Sequence, residues 1–219
     1  MIIAIDGPAG VGKSTVARLL AARLGFRYLD TGALYRAVAW KVLRSKVSPT
    51  DHEQVARLLQ RTSVEVRFED GAMRVLVDDS DITSELRTPE ITSMASITSA
   101  IPAVREWLLP VQRRIGQQGS VVAEGRDIGT KVFPSAPLKF FLDAAAAVRA
   151  ERRHRELVAA GHGGPVEAVH QDLEGRDRRD RNRAIAPLIP AADARSIDTS
   201  VLNVEQVVEQ MLAAMSAVP

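Results

Sequence analysis

The chain has 219 residues, 46% of them hydrophobic, enough to bury one substantial core with small excursions. A net charge of +2 supplies no strong overall field to draw in nucleic acid or an anionic membrane, although arginine greatly outnumbers lysine. Cysteine is absent, which excludes disulfides, thiol catalysis and zinc–thiolate sites. The opening run from Met1 to Asp6 is too short for a signal peptide, and no apolar stretch approaches the roughly 18 residues of a membrane helix. A soluble, cytoplasmic protein is expected.

Ile2–Asp6 is a continuous apolar run ending at a glycine, the pattern of a strand buried on both faces. Val16, Leu19, Leu20 and Leu24 then recur at helical spacing, and Gly25 sits where a left-handed cap would end the helix. Phe26–Asp30 reads as a second strand and Thr31-Gly32 opens a second helix. Strand, helix, strand, helix is the grammar of a parallel α/β sheet. Thr50 and Glu53 have the spacing of a capping box. Between Ser63 and Ser84, Val64, Val66 and Phe68 alternate with polar residues, Glu69-Asp70-Gly71 makes a turn, and Arg74–Asp78 returns. That is an antiparallel hairpin with one solvated face.

Helices are expected over Pro89–Ser99 and Pro102–Gln118, with Pro110 kinking or breaking the second at about 3 kcal/mol. Ser120–Ala123 and Leu138–Leu142 return to buried-strand character. Residues 149 to 183 are densely charged around Gly161, Gly163 and Gly164. Arg195–Asp198 is a last strand, and a closing helix carries Val204, Val207, Val208, Met211, Leu212 and Met215.

The residues Gly7, Pro8, Ala9, Gly10, Val11, Gly12, Lys13 and Ser14 fit G-x-x-x-x-G-K-[ST] between a strand and a helix. The glycines let backbone N–H groups curl around phosphate oxygens, and the helix that follows adds its positive dipole end. Lys13 can reach the β and γ phosphates of ATP, and the Ser14 hydroxyl can ligate Mg²⁺. A chance match in a chain this long is roughly one in a hundred. A P-loop alone does not separate kinase, ATPase, GTPase and switch. The guanine-reading N-K-x-D is missing, since Asn-Lys occurs nowhere, and motors are ordinarily larger. Small kinases are what mostly remain.

Three further segments put polar residues at strand ends or on a helix, where such sheets bind ligands. The first runs from Asp30 through Thr31, Tyr35 and Arg36. In the second, Glu124-Gly125-Arg126-Asp127, an acid could hold the water shell of Mg²⁺, or Glu124 could merely cap a loop and Arg126 pair with Asp127. The third is Arg176 to Arg183, where Arg176, Asp180 and Arg183 would share a helical face. A solvated helix held by its own charge pairs competes with a mobile arginine lid that excludes water, hinged at the glycines near residue 161.

Together these segments, with Ala186-Pro187-Leu188, Ala192-Asp193-Ala194 and Ile197-Asp198-Thr199, resemble the bacterial cytidylate kinase family across essentially the whole chain. The resemblance implies a single α/β domain of P-loop NTPase type over 1–219, a parallel sheet flanked by helices. Its core would be about 1–60, 100–148 and 184–219. A small antiparallel monophosphate-binding insertion would span about 61–99, and an arginine-rich helical lid about 149–183. It implies transfer from Mg-ATP to CMP, and dCMP, by a monomer. Ser96, Arg105 and Asp127 would read cytosine and Asp180 the sugar hydroxyls. Thr31, Arg36, Arg126 and Arg183 would gather the acceptor phosphate beside Tyr35. Thr15 would join the ATP loop, and Arg176 would bridge the phosphates with Arg152 or Arg153. Lys13, Arg126, Arg176 and Arg183 would be catalytic.

Cytosine chemistry fits: Asp127 accepts from the exocyclic amine, while Arg105 and Ser96 donate to N3 and O2. Uracil would set a carbonyl against the carboxylate. Rival readings are a kinase for UMP, AMP or another small acceptor, a non-catalytic ATP switch, and a nucleic-acid binder. The last is disfavoured by 4% aromatic content.

Overall fold

A computed structural model describes residues 1–69 and 71–215. Along the chain run β1 (Ile2–Asp6), α1 (Lys13–Leu24), β2 (Arg27–Asp30), α2 (Thr31–Arg44), α3 (His52–Leu59), β3 (Val64–Glu69), β4 (Ala72–Val77) and β5 (Ser80–Asp81). Next come α4 (Pro89–Thr98), α5 (Pro102–Gln117), β6 (Val121–Gly125), a π-helix (Ile128–Val132) and β7 (Leu138–Asp143). The series ends with α6 (Ala146–Ala159), α7 (Val166–Asn182), β8 (Arg195–Asp198) and α8 (Val204–Met215). These elements form two compact units, Met1–Phe26 with Val122–Pro219, and Arg27–Val121.

In the first unit the strands lie in the order β6-β1-β7-β8. β1 and β7 run parallel, Ile3 opposite Leu138 and Asp6 opposite Phe141, and β7 runs parallel to β8. Ile3, Ala4, Ile5, Val122, Ala123 and Leu142 are fully buried, as strands covered on both faces require. Gly25 ends α1 in the left-handed conformation, as expected, and Arg23 of α1 pairs with Glu205 and Glu209 of α8. The expected parallel sheet with flanking helices is therefore present, and its carboxyl edge carries the P-loop. The charged stretch forms α6 and α7, separated by a turn that holds Gly161, Gly163 and Gly164.

In the second unit β3 and β4 form the expected antiparallel hairpin, Val64 opposite Val77 through Glu69 opposite Ala72. Asp70 of its turn lies outside the described residues. β5 adds a third strand that a two-residue element could not announce by periodicity. Val75, Val77, Ile82 and Leu86 bury their side chains with Ala33 and Ala37 of α2, and Trp40, Val64 and Met73 close the cluster.

Two local expectations are corrected here. The cap of α3 is Asp51 rather than Thr50: its carboxylate accepts from Gln54 N at 2.9 Å and Gln54 Nε2 at 2.7 Å, while Thr50 turns to Ser48. α5 runs unbroken through Pro110. That proline is exposed and forfeits one helical bond on the water side, whereas Val104, Leu108 and Ile115 bury the other face. No helix among the described residues is long and apolar enough to cross a membrane.

Candidate active site

The P-loop joins β1 to α1. Gly7 is its tightest point, because a Cβ there would lie 2.2 Å from the Leu142 carbonyl oxygen of β7. Lys13 is buried and its Nζ donates to the Pro8 carbonyl at 2.6 Å. Burial pushes its ammonium down to about 7, helped by the nearby Arg126 charge and opposed by Glu124 and Asp6. Asp6 at the end of β1 is also buried. Its carboxylate accepts from Ile128 N at 2.8 Å and Gly129 N at 2.7 Å, tying the P-loop to the π-helix after β6. Burial pushes Asp6 up to about 6, outweighing those two N–H donors. Ser14 is half-buried in the first turn of α1 and Thr15 is exposed.

A cavity of about 340 Å³ opens from the loop, lined by Gly10, Gly12, Thr15, Arg152, Thr199 and Asn203 among others. Arg152 donates to Thr199 Oγ1 at 3.0 Å and to its carbonyl at 2.6 Å, and Thr199 Oγ1 donates to the Val11 carbonyl at 3.1 Å. The wall thus unites α6, the P-loop and the residue that follows β8. Arg153 turns instead to the exposed Glu156, at 3.0 Å.

At the end of β6, Glu124 and Asp127 are buried. Arg126 donates from Nε to Asp180 Oδ2 at 2.9 Å, and Arg183 lies 3.8 Å from Asp127 and 3.4 Å from Asp180. Asp180 is held ionised below its ordinary range. Burial alone would raise it, but Arg126 and Arg183 prevail. Arg176 is shifted down by burial and by Arg126. The helical-face expectation needs amending, since α7 ends at Asn182 and Arg183 is extended, with ψ 142°. Its Nε donates to the Ala186 carbonyl at 2.5 Å, which draws it off the helix. Along the charged run Arg178, Arg179 and Arg181 are solvated, whereas Arg176, Asp180 and Arg183 are half-buried.

The second unit carries the other predicted residues. Asp30 caps α2, accepting from Ala33 N at 3.0 Å, and takes Arg36 Nη2 at 2.7 Å, with Arg87 at 3.5 Å. Burial would raise its carboxyl, yet Arg36 and Arg87 hold it below the usual range. Arg36 Nε is buried without a hydrogen-bond partner in the protein. Such an atom suits an incoming anion. Thr31 is buried at the start of α2. Arg105 on α5 is buried, donates to the Ser99 carbonyl at 3.2 Å, and lies 5.1 Å above the Tyr35 ring of α2. Ser96 is half-buried on α4.

Sequence reasoning gave no role to Asp6, Asp30, Arg149, Asp177 or Thr199. All but Arg149 stood inside recognised motifs, and Arg149, Asp177 and Thr199 act across long sequence separations.

The family model described as cytidylate kinase matches residues 3–217. The chain belongs to the cytidylate kinase family. It is 49% identical over 216 residues to the cytidylate kinase of Pelotomaculum thermopropionicum, covering 98% of this chain and 96% of that one. It is 47% identical to that of Carboxydothermus hydrogenoformans, covering 97% and 96%. A gluconokinase from Sinorhizobium meliloti shares the fold, with a TM-score of 0.50 at 18% identity over 98% of this chain and 90% of that one. Membership in the cytidylate kinase family makes the chain an enzyme, a nucleoside monophosphate kinase of the kind that phosphorylates CMP.

Proposed function

We propose that the chain moves the γ-phosphoryl group of Mg-ATP to CMP, and to dCMP, giving ADP and CDP or dCDP. The observation that carries this reading is Lys13, a buried P-loop ammonium whose charge burial suppresses to about 7. A polyphosphate supplies the counter-charge that the folded protein withholds. The P-loop from Gly7 to Thr15 would hold the donor phosphates, with Arg152 at the cavity that opens from it. The residues fit a divalent cation: the Ser14 hydroxyl would ligate it, and buried Glu124 is the candidate for its water shell. When bound, Mg²⁺ neutralises charge across the β and γ phosphates.

The acceptor phosphate is already anionic near neutral pH, so no strong general base is needed. The work is in-line positioning and charge neutralisation. Thr31, Arg36, Arg126 and Arg183 are assigned to the acceptor phosphate beside Tyr35. Arg176 is assigned to the bridge between phosphates, and Asp180 to the sugar hydroxyls. Ser96, Arg105 and Asp127 are assigned to cytosine. The unpartnered Nε of Arg36 and the stacked Arg105–Tyr35 pair support the acceptor half. The same reading has the enzyme act as a monomer in the cytoplasm.

A coupled ADP-release assay with Mg-ATP against CMP, dCMP, UMP, AMP and GMP tests it. Fast turnover confined to CMP and dCMP is expected. ADP release no faster with CMP than without acceptor would overturn the assignment, and faster turnover of UMP would overturn the base-reading roles.

A further inference from the structure

Ala9, in the middle of the P-loop, is held from two sides by one buried ion pair. Its N–H donates to Asp177 Oδ1 at 3.3 Å, and its carbonyl accepts from Arg149 Nη1 at 3.1 Å. The same Nη1 donates to Asp177 Oδ2 at 2.5 Å, closing the ring. Arg149 Nε donates to the Ala144 carbonyl at 3.1 Å, which fixes the guanidinium at the start of α6. Arg149 is 7% exposed and Asp177 3%.

The loop comes so near α6 that Gly10 has no room for a side chain. Its φ is +79°, and a Cβ would lie 3.0 Å from the Arg149 carbonyl oxygen and 3.1 Å from the Arg149 Cβ. Ala9, Ala150, Val169 and Leu173, with Leu157, make an apolar cluster around the contact.

A buried ion pair is a weak way to stabilise a fold, since desolvation offsets most of the attraction. Its value here lies in what it connects. Asp177 follows Arg176 directly and precedes Asp180 by three residues on α7, so its grip on Ala9 sets where those two side chains stand relative to the P-loop.

The geometry points to a positioning role: the Arg149–Asp177 pair is a clasp that keeps the carboxyl half of α7 in register with the phosphate-binding loop. The inference rests on the phosphoryl-transfer reading above. It also limits the lid: glycine-born freedom near residue 161 reaches the carboxyl half of α6 and the amino half of α7, while the start of α6 and the segment beyond Asp177 stay rooted. Loss of the clasp frees the Ala9 peptide alone in the P-loop, and leaves Lys13 on its Pro8 carbonyl. ATP binding should survive and the alignment of Arg176 and Asp180 should not.

The test is steady-state kinetics of Asp177→Asn and Arg149→Lys with Mg-ATP and CMP, below each variant's melting temperature. We expect kcat to fall about tenfold or more, because a misplacement near 1 Å can remove about a hundredfold. KM for ATP should stay within about threefold. Asp177→Glu, which keeps the charge, should recover part of kcat. A folded Asp177→Asn with wild-type kcat overturns the clasp even if it melts lower, leaving the pair structural. So does a raised KM for ATP at unchanged kcat, which would mean the pair shapes the loop alone. Should Asp177→Asn not fold, Arg149→Lys carries the comparison, since it keeps the charge and loses the planar fork.

Hydrogen exchange gives a readout independent of turnover. Amides of residues 178–182 should exchange about tenfold faster in the variant and those of α1 at the wild-type rate. If the wild-type chain released no ADP with CMP, the phosphoryl-transfer reading would fall, and unchanged exchange at 178–182 would separately overturn the clasp.

Discussion

Burial and charge reach opposite outcomes in the two units. Around the P-loop burial wins: Asp6 is pushed up to about 6 and Lys13 down to about 7. At the start of α2 charge wins, and Arg36 with Arg87 holds Asp30 ionised although it too is buried. Asp180, between Arg126 and Arg183, follows the second pattern inside the first unit. A site whose charges are already neutralised by neighbours is complete as folded. One whose charges are suppressed gains most from a ligand of opposite sign, and Lys13 is such a group. The proposed polyphosphate would relieve that suppression at Lys13, whereas Asp30 holds an arginine in place.

Lys13→Met is the sharpest way to break that contrast. It removes the ammonium and keeps most of the stem. Turnover should fall about 10³-fold, the scale of losing a cation that stabilises transferring phosphoryl charge. The melting temperature should hold or rise, because a desolvated charge has gone. Kinetics and a thermal melt on the same sample check both, and a variant within tenfold of wild type would end the idea that this lysine waits for phosphate.

In the other unit, Arg105→Met should act on the acceptor alone. A hydrogen bond to a charged donor is worth about 1.5–3 kcal/mol, so KM for CMP should rise about ten- to a hundredfold. KM for ATP should stay put, since Arg105 stacks on Tyr35 and has no part in holding the donor. Parallel rises in both constants would show that the Arg105–Tyr35 contact holds the unit together rather than reading a base.

What could be read from the sequence divides along physical lines. The P-loop was legible because a phosphate cradle is built from consecutive backbone N–H groups, so its glycines must be contiguous. The strands β1, β6 and β7 announced themselves as short apolar runs, and β3 by alternation. Three things left no spacing to read. The grip of Asp177 on Ala9 spans 168 residues and that of Thr199 on Val11 spans 188. Both join a side chain to a backbone atom, which no periodicity encodes. The choice of Asp51 over Thr50 as the α3 cap came down to a carboxylate that accepts two hydrogen bonds from Gln54. Arg183 left the α7 face because the Ala186 carbonyl took its Nε, a contact made after the helix had ended.

The smallest effect expected is on stability against pH, and it separates the two regimes within one titration. Below about pH 4 the unfolded chain begins to protonate Asp30 while the native state keeps it charged. Its native pKa lies under the unfolded value, so the unfolded chain takes up the proton first and stability falls with acid. From about 4 to 6 the sign reverses at Asp6: the native state still holds a proton that the unfolded chain has released, so stability declines as pH rises. Above about 7, Lys13 is neutral in the native state and charged in the unfolded one up to about 10.5, so stability climbs again. Each contribution should move the melting midpoint by a few degrees. Asp6→Asn should flatten only the middle segment and Asp30→Asn only the acid limb, read from melting curves between pH 3 and 10. A wild-type profile that rises steadily from pH 4 to 6, and keeps that slope in Asp6→Asn, would mean that the backbone donors of Ile128 and Gly129 outweigh burial at Asp6. The P-loop unit would then follow the same rule as the start of α2.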